Sequence, residues 1–371
     1  MDKKRIVVID NHALPLVSIR KNLMKAIKDG GHELFVLTGK SEAYDSLEAE
    51  GYHMIDVGYS VQNPISVLKY IFRLRKVLKE INPDIFLPFT IRPVLYGNLA
   101  ASSLNIDTIT NITGIGPLFT NSGLSYTVAR TIYPFALRKT KKIFFQNFDD
   151  MEIFINKEFA PREICERLPG SGVNYKHYAP IAATNKEEAF SFVFISRLVK
   201  DKGIGEYVEA ARIMRKKYSE IKFKVIGPFW ELNLKANTIT KEDMAAWEEE
   251  GIIQYLGEQK DIRPFVAAAD TIVLPSYREG TSNVLLESAS MAKPLITTNV
   301  TGCKEIVDDG ETGFLCKVRD AEDLAEKMEA MYLLSEKERE EMGKRGREKV
   351  IKEFDRQIVI DAYLRAIQEI S

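Results

Sequence analysis

FSFVFIS, Phe190–Ser196, runs into the loop RLVKDKG, Arg197–Gly203, and then into an amphipathic stretch that opens near Ile204. An unbroken apolar run, a short polar loop and a helical pattern in that order describe a parallel strand buried on both faces and its crossover helix. The same unit recurs on either side. Further strands are expected at Arg5–Asp10, Glu33–Thr38, His53–Val57, Ile85–Phe89, Asp107–Thr110 and Lys142–Gln146 in the first half. In the second half they are expected at Lys222–Ile226, Ile252–Leu256, Thr271–Leu274, Pro294–Thr298 and Gly313–Cys316. The fold class is therefore α/β, with two doubly wound, Rossmann-like sheets of six strands each. LPGSGVNYKHYAP, Leu168–Pro180, has neither period and holds the domain link. The expected division is residues 1–172, 173–354 and a final segment 355–371, whose DRQIVIDAYLRAIQEI packs across onto the first domain.

At 371 residues, 45% hydrophobic and 28% charged, the chain is long enough for two ordinary cores. MDKKRIVVIDNH holds an apolar run too short for a signal peptide, and no stretch reaches the roughly 18 apolar residues of a membrane span. Cys165, Cys303 and Cys316 have no metal or redox spacing, which fits a reducing cytosol. The net charge of -1 conceals a split: residues 1–172 carry 22 Lys and Arg against 18 Asp and Glu, and the remainder 30 against 35. An anionic partner for the first half, lipid surface or phosphate, is one reading of that excess; a solvated face is the other.

The loop after FSFVFIS sets Arg197 and Lys202 beside a helix start, where anions are stabilised. Arg grips phosphate oxygens with its planar fork and Lys adds a mobile point charge. Thr271–Leu274 runs into PSYREGTSNVLLESASMAKP, where Gly280 permits close backbone approach and Thr281, Ser282 or Asn283 caps the next helix. The amides of Gly280–Asn283 are expected to face a diphosphate. Glu279 and Glu287 lie at opposite ends of that turn, and each carboxylate can accept from vicinal hydroxyls. Glu287 is assigned to a ribose and Glu279 to a transferred sugar. Gly227 and Pro228 after KFKVI, with Tyr255 and Leu256 after IIQ, complete the expected ligand wall at the carboxyl ends of neighbouring strands.

Arg-x4-Lys, Glu-x7-Glu and VTGCKEIVDDGETGFL resemble the nucleotide-binding half of family 4 retaining glycosyltransferases of GT-B fold, most strongly from Ser191 to Ala325. YLGEQKDI, VLPSYREG and TGCKEIV are similar to the N-acetylgalactosaminyltransferases that extend an undecaprenyl-diphosphate-linked sugar. The resemblance implies two Rossmann-like domains facing across a cleft, the N-terminal one taking the acceptor and the C-terminal one the nucleotide sugar. It also implies a UDP-sugar donor as co-substrate, a polyprenyl-diphosphate glycan acceptor, and attachment to the cytoplasmic face of the membrane. Arg197, Lys202 and Glu279 are then the catalytic candidates. A GT-B epimerase of UDP-N-acetylhexosamine and a non-catalytic nucleotide-sugar-binding module are the alternatives.

In the first half, NHALPLVSIR stands where such proteins often have a Gly-Gly turn, and TNITGIGPLFTNSG where many have a His. Asn11, His12, Arg20, Thr113, Gly114 and Gly116 are the candidates there for the donor phosphate or the acceptor. GIGPLF lacks the third glycine of a dinucleotide fingerprint and opens no helix. The four histidines are scattered, the paired aspartates have no third ligand at useful spacing, and no metal is expected. A nucleic-acid partner is not expected either, because aromatic and basic residues are not interleaved in repeats. Ser66–Ile81 and Tyr126–Lys142 mix aromatics with cations at helical spacing. In the first of these, Leu68, Ile71, Leu74 and Leu78 are expected as a core stripe with a wet basic back. The second, with Tyr126, Tyr133 and Phe135, is the stronger membrane-facing stretch.

Overall fold

A computed structural model describes residues 3–58, 63–115, 124–184, 187–230 and 237–370. The chain divides into two compact units, Met1–Ser171 with Gln357–Ser371, and Gly172–Arg356.

Among the described residues the first unit holds a seven-stranded parallel sheet of order β3-β2-β1-β4-β5-β6-β7. Its strands are β1 Arg5–Ile9, β2 Glu33–Thr38, β3 His53–Asp56, β4 Ile85–Pro88, β5 Asp107–Ile112, β6 Thr140–Phe145 and β7 Cys165–Arg167. The sequence pattern predicts six. β7 is the addition: three residues, two of them charged, joined to the sheet edge by pairing Ile143 with Cys165 and Phe145 with Arg167. The central strands are apolar throughout because crossover helices cover both faces, and Ile6, Val7, Val8 and Ile9 are fully buried.

The helix Arg356–Glu369 belongs to this first unit beyond its opening residue, and supplies Val359, Ile360, Tyr363, Ala366 and Ile367 to the core formed by Ile6, Val8, Ile85 and Phe144. The Tyr363 ring lies 4.7 Å from Phe144 and 5.8 Å from Phe89, and its hydroxyl accepts a 2.7 Å bond from the Asn111 amide.

Helix Pro64–Ile81 starts in a capping box, where Asn63 Oδ1 accepts from the Ser66 amide at 2.9 Å and Ser66 Oγ from the Asn63 amide at 3.0 Å. It buries Tyr70, Leu74, Leu78 and Ile81. Leu68, expected in that buried stripe, is instead 56% exposed and forms a second apolar row with Ile65 and Phe72. In helix Leu124–Ala136 the expectation also divides: Tyr133 is buried edge-on against Phe154 at 5.1 Å, whereas Phe135 is exposed. The side chain of Tyr126 lies outside the described residues.

Among the described residues the second unit holds a six-stranded parallel sheet of order β10-β9-β8-β11-β12-β13. These strands are β8 Ser191–Ile195, β9 Lys222–Ile226, β10 Gln254–Tyr255, β11 Thr271–Leu274, β12 Leu295–Thr298 and β13 Gly313–Cys316. The chain enters and leaves this unit side by side, since the Val173 amide donates to Phe354 O at 2.7 Å and the Arg356 amide to Val173 O at 3.1 Å.

Candidate functional site

Strand order in the second unit runs outward from β8 in one direction and from β11 in the other, so these adjacent strands form its topological switch point. Their carboxyl ends lead into the loops that carry Arg197 and Lys202, and Tyr277 to Ser282. The two loops are joined directly. The Tyr277 amide donates to Asp201 O at 2.8 Å, and Ser276 Oγ to the same oxygen at 3.2 Å. Gly203, at φ +75°, closes the first loop, and a Cβ there would stand 2.0 Å from Pro275 O. The third loop, after β12, is bound in the same way: the Glu279 amide donates to Thr301 O at 3.0 Å and the Ser282 amide to Gly302 O at 2.9 Å.

This corrects one expectation. The Ser282 amide is engaged by Gly302 and is not presented to a diphosphate. Ser282 is instead the cap of helix Asn283–Ser290, its Oγ accepting from the Leu285 amide. Thr281 Oγ1 donates to its neighbour Gly280 O at 2.9 Å. Asn283, half-buried, is the first helical residue.

Lys202 Nζ forms an ion pair with Glu279 Oε1, and both side chains are largely buried, at 13% and 14% exposed. A phosphate approaching Lys202 therefore displaces a carboxylate, and a sugar hydroxyl approaching Glu279 displaces an ammonium. Either partner, removed alone, leaves a poorly solvated charge, so a ligand group that separates the pair has to replace what each partner loses. Arg197 is exposed, its guanidinium 4.6 Å from the Trp230 ring. Sequence reasoning did not single out Trp230, whose only signal is its place a few residues past β9.

Gly227 follows β9 at φ +148°, where a Cβ would fall 1.7 Å from Ser196 O, so only glycine lets these two strand ends close up. Pro228 O accepts from the Leu198 amide at 2.9 Å. Tyr255 donates its hydroxyl to Gly227 O at 2.8 Å and lays its ring 5.4 Å from Phe229, while the Leu256 amide continues the ladder to Val225 O. Tyr277 donates to Glu206 Oε1 at 2.7 Å, and burial together with that bond pushes its phenol up to about 12.

Glu287 sits apart from the Lys202–Glu279 pair in its contacts. Its carboxyl receives the hydroxyl of Tyr178 and lies in the field of Arg356. Burial raises it to about 7, and the two partners offset part of that rise. Tyr178 comes from the segment that joins the units, and nothing in the local pattern of that segment announces the contact.

The first unit's candidates occupy two loops at strand ends, after β1 and after β5, strands separated by β4. Asn11 is half-buried and His12 exposed. Arg20 is buried, its Nε donating to Asp10 Oδ2 at 2.8 Å and its guanidinium 3.8 Å from the Phe89 ring. That placement makes Arg20 part of the interior and corrects its assignment as a ligand contact. Thr113 and Gly114 follow β5, Gly114 at φ +144°, and the Ile115 amide donates to Asp150 Oδ2 at 3.2 Å. Gly116 lies outside the described residues. Among the described residues no three His, Cys, Asp or Glu side chains gather as a metal site.

The chain matches the family model Glycosyl transferases group 1 over residues 180–349 and the model Glycosyl transferase 4-like over residues 6–147. It is 26% identical, over 97% of both chains, to the N,N'-diacetylbacillosaminyl-diphospho-undecaprenol alpha-1,3-N-acetylgalactosaminyltransferase of Campylobacter jejuni. It is 34% identical to the capsular polysaccharide biosynthesis glycosyltransferase CapM of Staphylococcus aureus, over 46% of this chain and 43% of that one. A glycosyltransferase from Rickettsia africae superposes with a TM-score of 0.80 at 20% identity, covering 100% of this chain and 99% of the other. Anabaena HepE in complex with UDP and glucose superposes with a TM-score of 0.79 at 15% identity, covering 99% and 100%.

Proposed function

Since the chain belongs to the group 1 glycosyltransferases and has the GT-B fold, we propose that it moves an N-acetylhexosamine, N-acetylgalactosamine first among them, from a UDP-sugar to a saccharide on polyprenyl diphosphate, with retention and without a metal ion. The observation that carries the site assignment is the Lys202–Glu279 pair at the β8–β11 switch point. The Campylobacter relative, named for transfer of that sugar to a diphospho-undecaprenol-linked sugar, supports the transferred sugar and the acceptor, and the HepE complex with UDP and glucose supports the nucleotide. In this reading Lys202 and Arg197 neutralise the departing UDP, which gives the charge stabilisation a metal supplies elsewhere. Glu279, released by Lys202, accepts from the transferred sugar, and Glu287 accepts from the ribose. Gly227, Pro228, Tyr255 and Leu256 line the base side, and Gly280, Thr281 and Asn283 the phosphate side. The acceptor hydroxyl approaches on the face the phosphate leaves, and the departing phosphate oxygen takes its proton. The N-terminal unit is assigned the acceptor.

The test incubates purified protein with a panel of UDP-sugars and a polyprenyl-diphosphate glycan, read by mass spectrometry. A mass gain of one N-acetylhexosamine that needs both substrates is the expected result. An isomerised UDP-N-acetylhexosamine formed without acceptor would replace the reading with epimerisation, and no product from any UDP-sugar would remove it.

Attachment to the cytoplasmic membrane face is part of the same proposal. Ile65, Leu68 and Phe72, at 67%, 56% and 68% exposure, stand on one side of helix Pro64–Ile81 among exposed Lys69, Lys76 and Lys79. Apolar side chains seated at the lipid boundary between cations suit an anionic bilayer. Replacing all three with Ser should weaken co-sedimentation with phosphatidylglycerol-containing vesicles by at least about tenfold, with transfer to a detergent-soluble acceptor unchanged. Equal sedimentation of both proteins would discard this surface.

A further inference from the structure

Glu287 stands five residues into helix Asn283–Ser290, and Ser290, one turn on, anchors the segment that covers it. Ser290 Oγ donates to Tyr178 O at 2.8 Å, and Arg347 reaches the same carbonyl at 3.4 Å. The ring of Tyr178 is set edge-on to His177 at 4.9 Å, and Arg263 Nη1 reaches His177 O at 3.4 Å. The backbone of Tyr178 is thus fixed to the very helix whose carboxylate its hydroxyl contacts. Arg356 approaches from the segment that leaves the unit, its Nη2 held by Gly172 O at 3.1 Å. A half-buried carboxylate with one phenol donor and one guanidinium nearby has its orientation set by the phenol, because the Arg356 fork is tied to Gly172.

We propose that Tyr178 is a positioning residue for the nucleotide, its hydroxyl turning the Glu287 carboxyl as an acceptor for the two ribose hydroxyls. This rests on the assignment of Glu287 to the ribose and adds the residue that controls it. A carboxyl near 7 is half protonated at neutral pH, and its protonated form accepts less well from a diol. Loss of the Tyr178 donor removes a contact that favours the ionised form, so the titration moves upward. The charged and titratable groups facing Glu287 are Tyr178 and Arg356, and those around Tyr178 are His177, Asp261, Arg263 and Arg347. His177 is lowered by burial and by Arg263, and the comparison with Glu287→Gln separates the carboxyl from it.

The experiment measures by calorimetry the affinities for UDP and for 2′,3′-dideoxy-UDP, whose ratio cancels titration of the phosphates and leaves the diol. In the wild-type chain the ratio should rise as pH passes about 7. Tyr178→Phe, which keeps the ring and the backbone anchor, should shift that rise up by about one pH unit and lower the ratio about fivefold at pH 7. Glu287→Gln should flatten the ratio at all pH values, and Tyr178→Phe added to it should change nothing further. A Tyr178→Phe curve superimposed on the wild-type curve, with Glu287→Gln still flattening it, would overturn the role of Tyr178 and leave the ribose assignment standing. A ratio unaffected by Glu287→Gln would overturn both.

Discussion

Lys202→Ala should lower single-turnover transfer by about 100- to 1000-fold, the loss seen when one preorganised donor to a developing negative charge is removed. The size follows from where the ammonium sits. It is largely buried, so its field is weakly screened, and it is held ready by Glu279 at a switch point of the sheet. On the proposed role, removing it takes away the charge that would meet the leaving diphosphate, and it strands Glu279 beside buried Cys303. Acceptor KM should stay within about twofold, because the cation acts on the donor. Quenched-flow measurement with labelled donor distinguishes this from a folding defect, since thermal unfolding of the same sample reports the fold. Transfer within about threefold of wild type would take Lys202 out of the catalytic set.

Tyr363→Ala should destabilise the first unit by about 3–5 kcal/mol, the range for deleting a large buried aromatic side chain. Tyr363 is 1% exposed, packs on Phe89 and Phe144, and closes a hydrogen bond with buried Asn111. Tyr363→Phe keeps the ring and removes only that bond, so it should cost about 1–3 kcal/mol by leaving the Asn111 amide without its partner. Urea unfolding followed by limited proteolysis would show which fragment is lost first. With Tyr363→Ala, fragments of residues 172–356 should outlast those of residues 1–171, and equal midpoints for wild type and variant would contradict the packing argument.

The parallel strands were legible because burial on both faces writes each as an apolar run, and β1, β8, β9, β11 and β12 begin and end within a residue of where those runs do. β7 was not, since Cys165, Glu166 and Arg167 carry no apolar pattern and the strand exists through pairing with β6. Periodicity also put Leu68 in one stripe of helix Pro64–Ile81 with Ile71, Leu74 and Leu78. The sheet instead took Tyr70, Leu74 and Leu78 and left Leu68 outside. In the second unit, spacing brought Arg197, Lys202 and Glu279 to loops at the carboxyl ends of adjacent strands and Glu287 to the helix that follows. It could not foresee that Lys202 and Glu279 neutralise each other, that the Ser282 amide turns to Gly302, or that Tyr178 reaches Glu287. These are contacts between segments remote in sequence, and no local period encodes them.

The first unit is closed by residues that follow the whole of the second. A ribosome therefore delivers every residue of the second unit before it delivers Val359, Tyr363 and Ile367, and the order of maturation is inverted relative to the order of synthesis. Until that last helix emerges, the apolar face of Ile6, Val8 and Phe144 is open to water, which makes the nascent N-terminal half the stage at which a chaperone has most to shield.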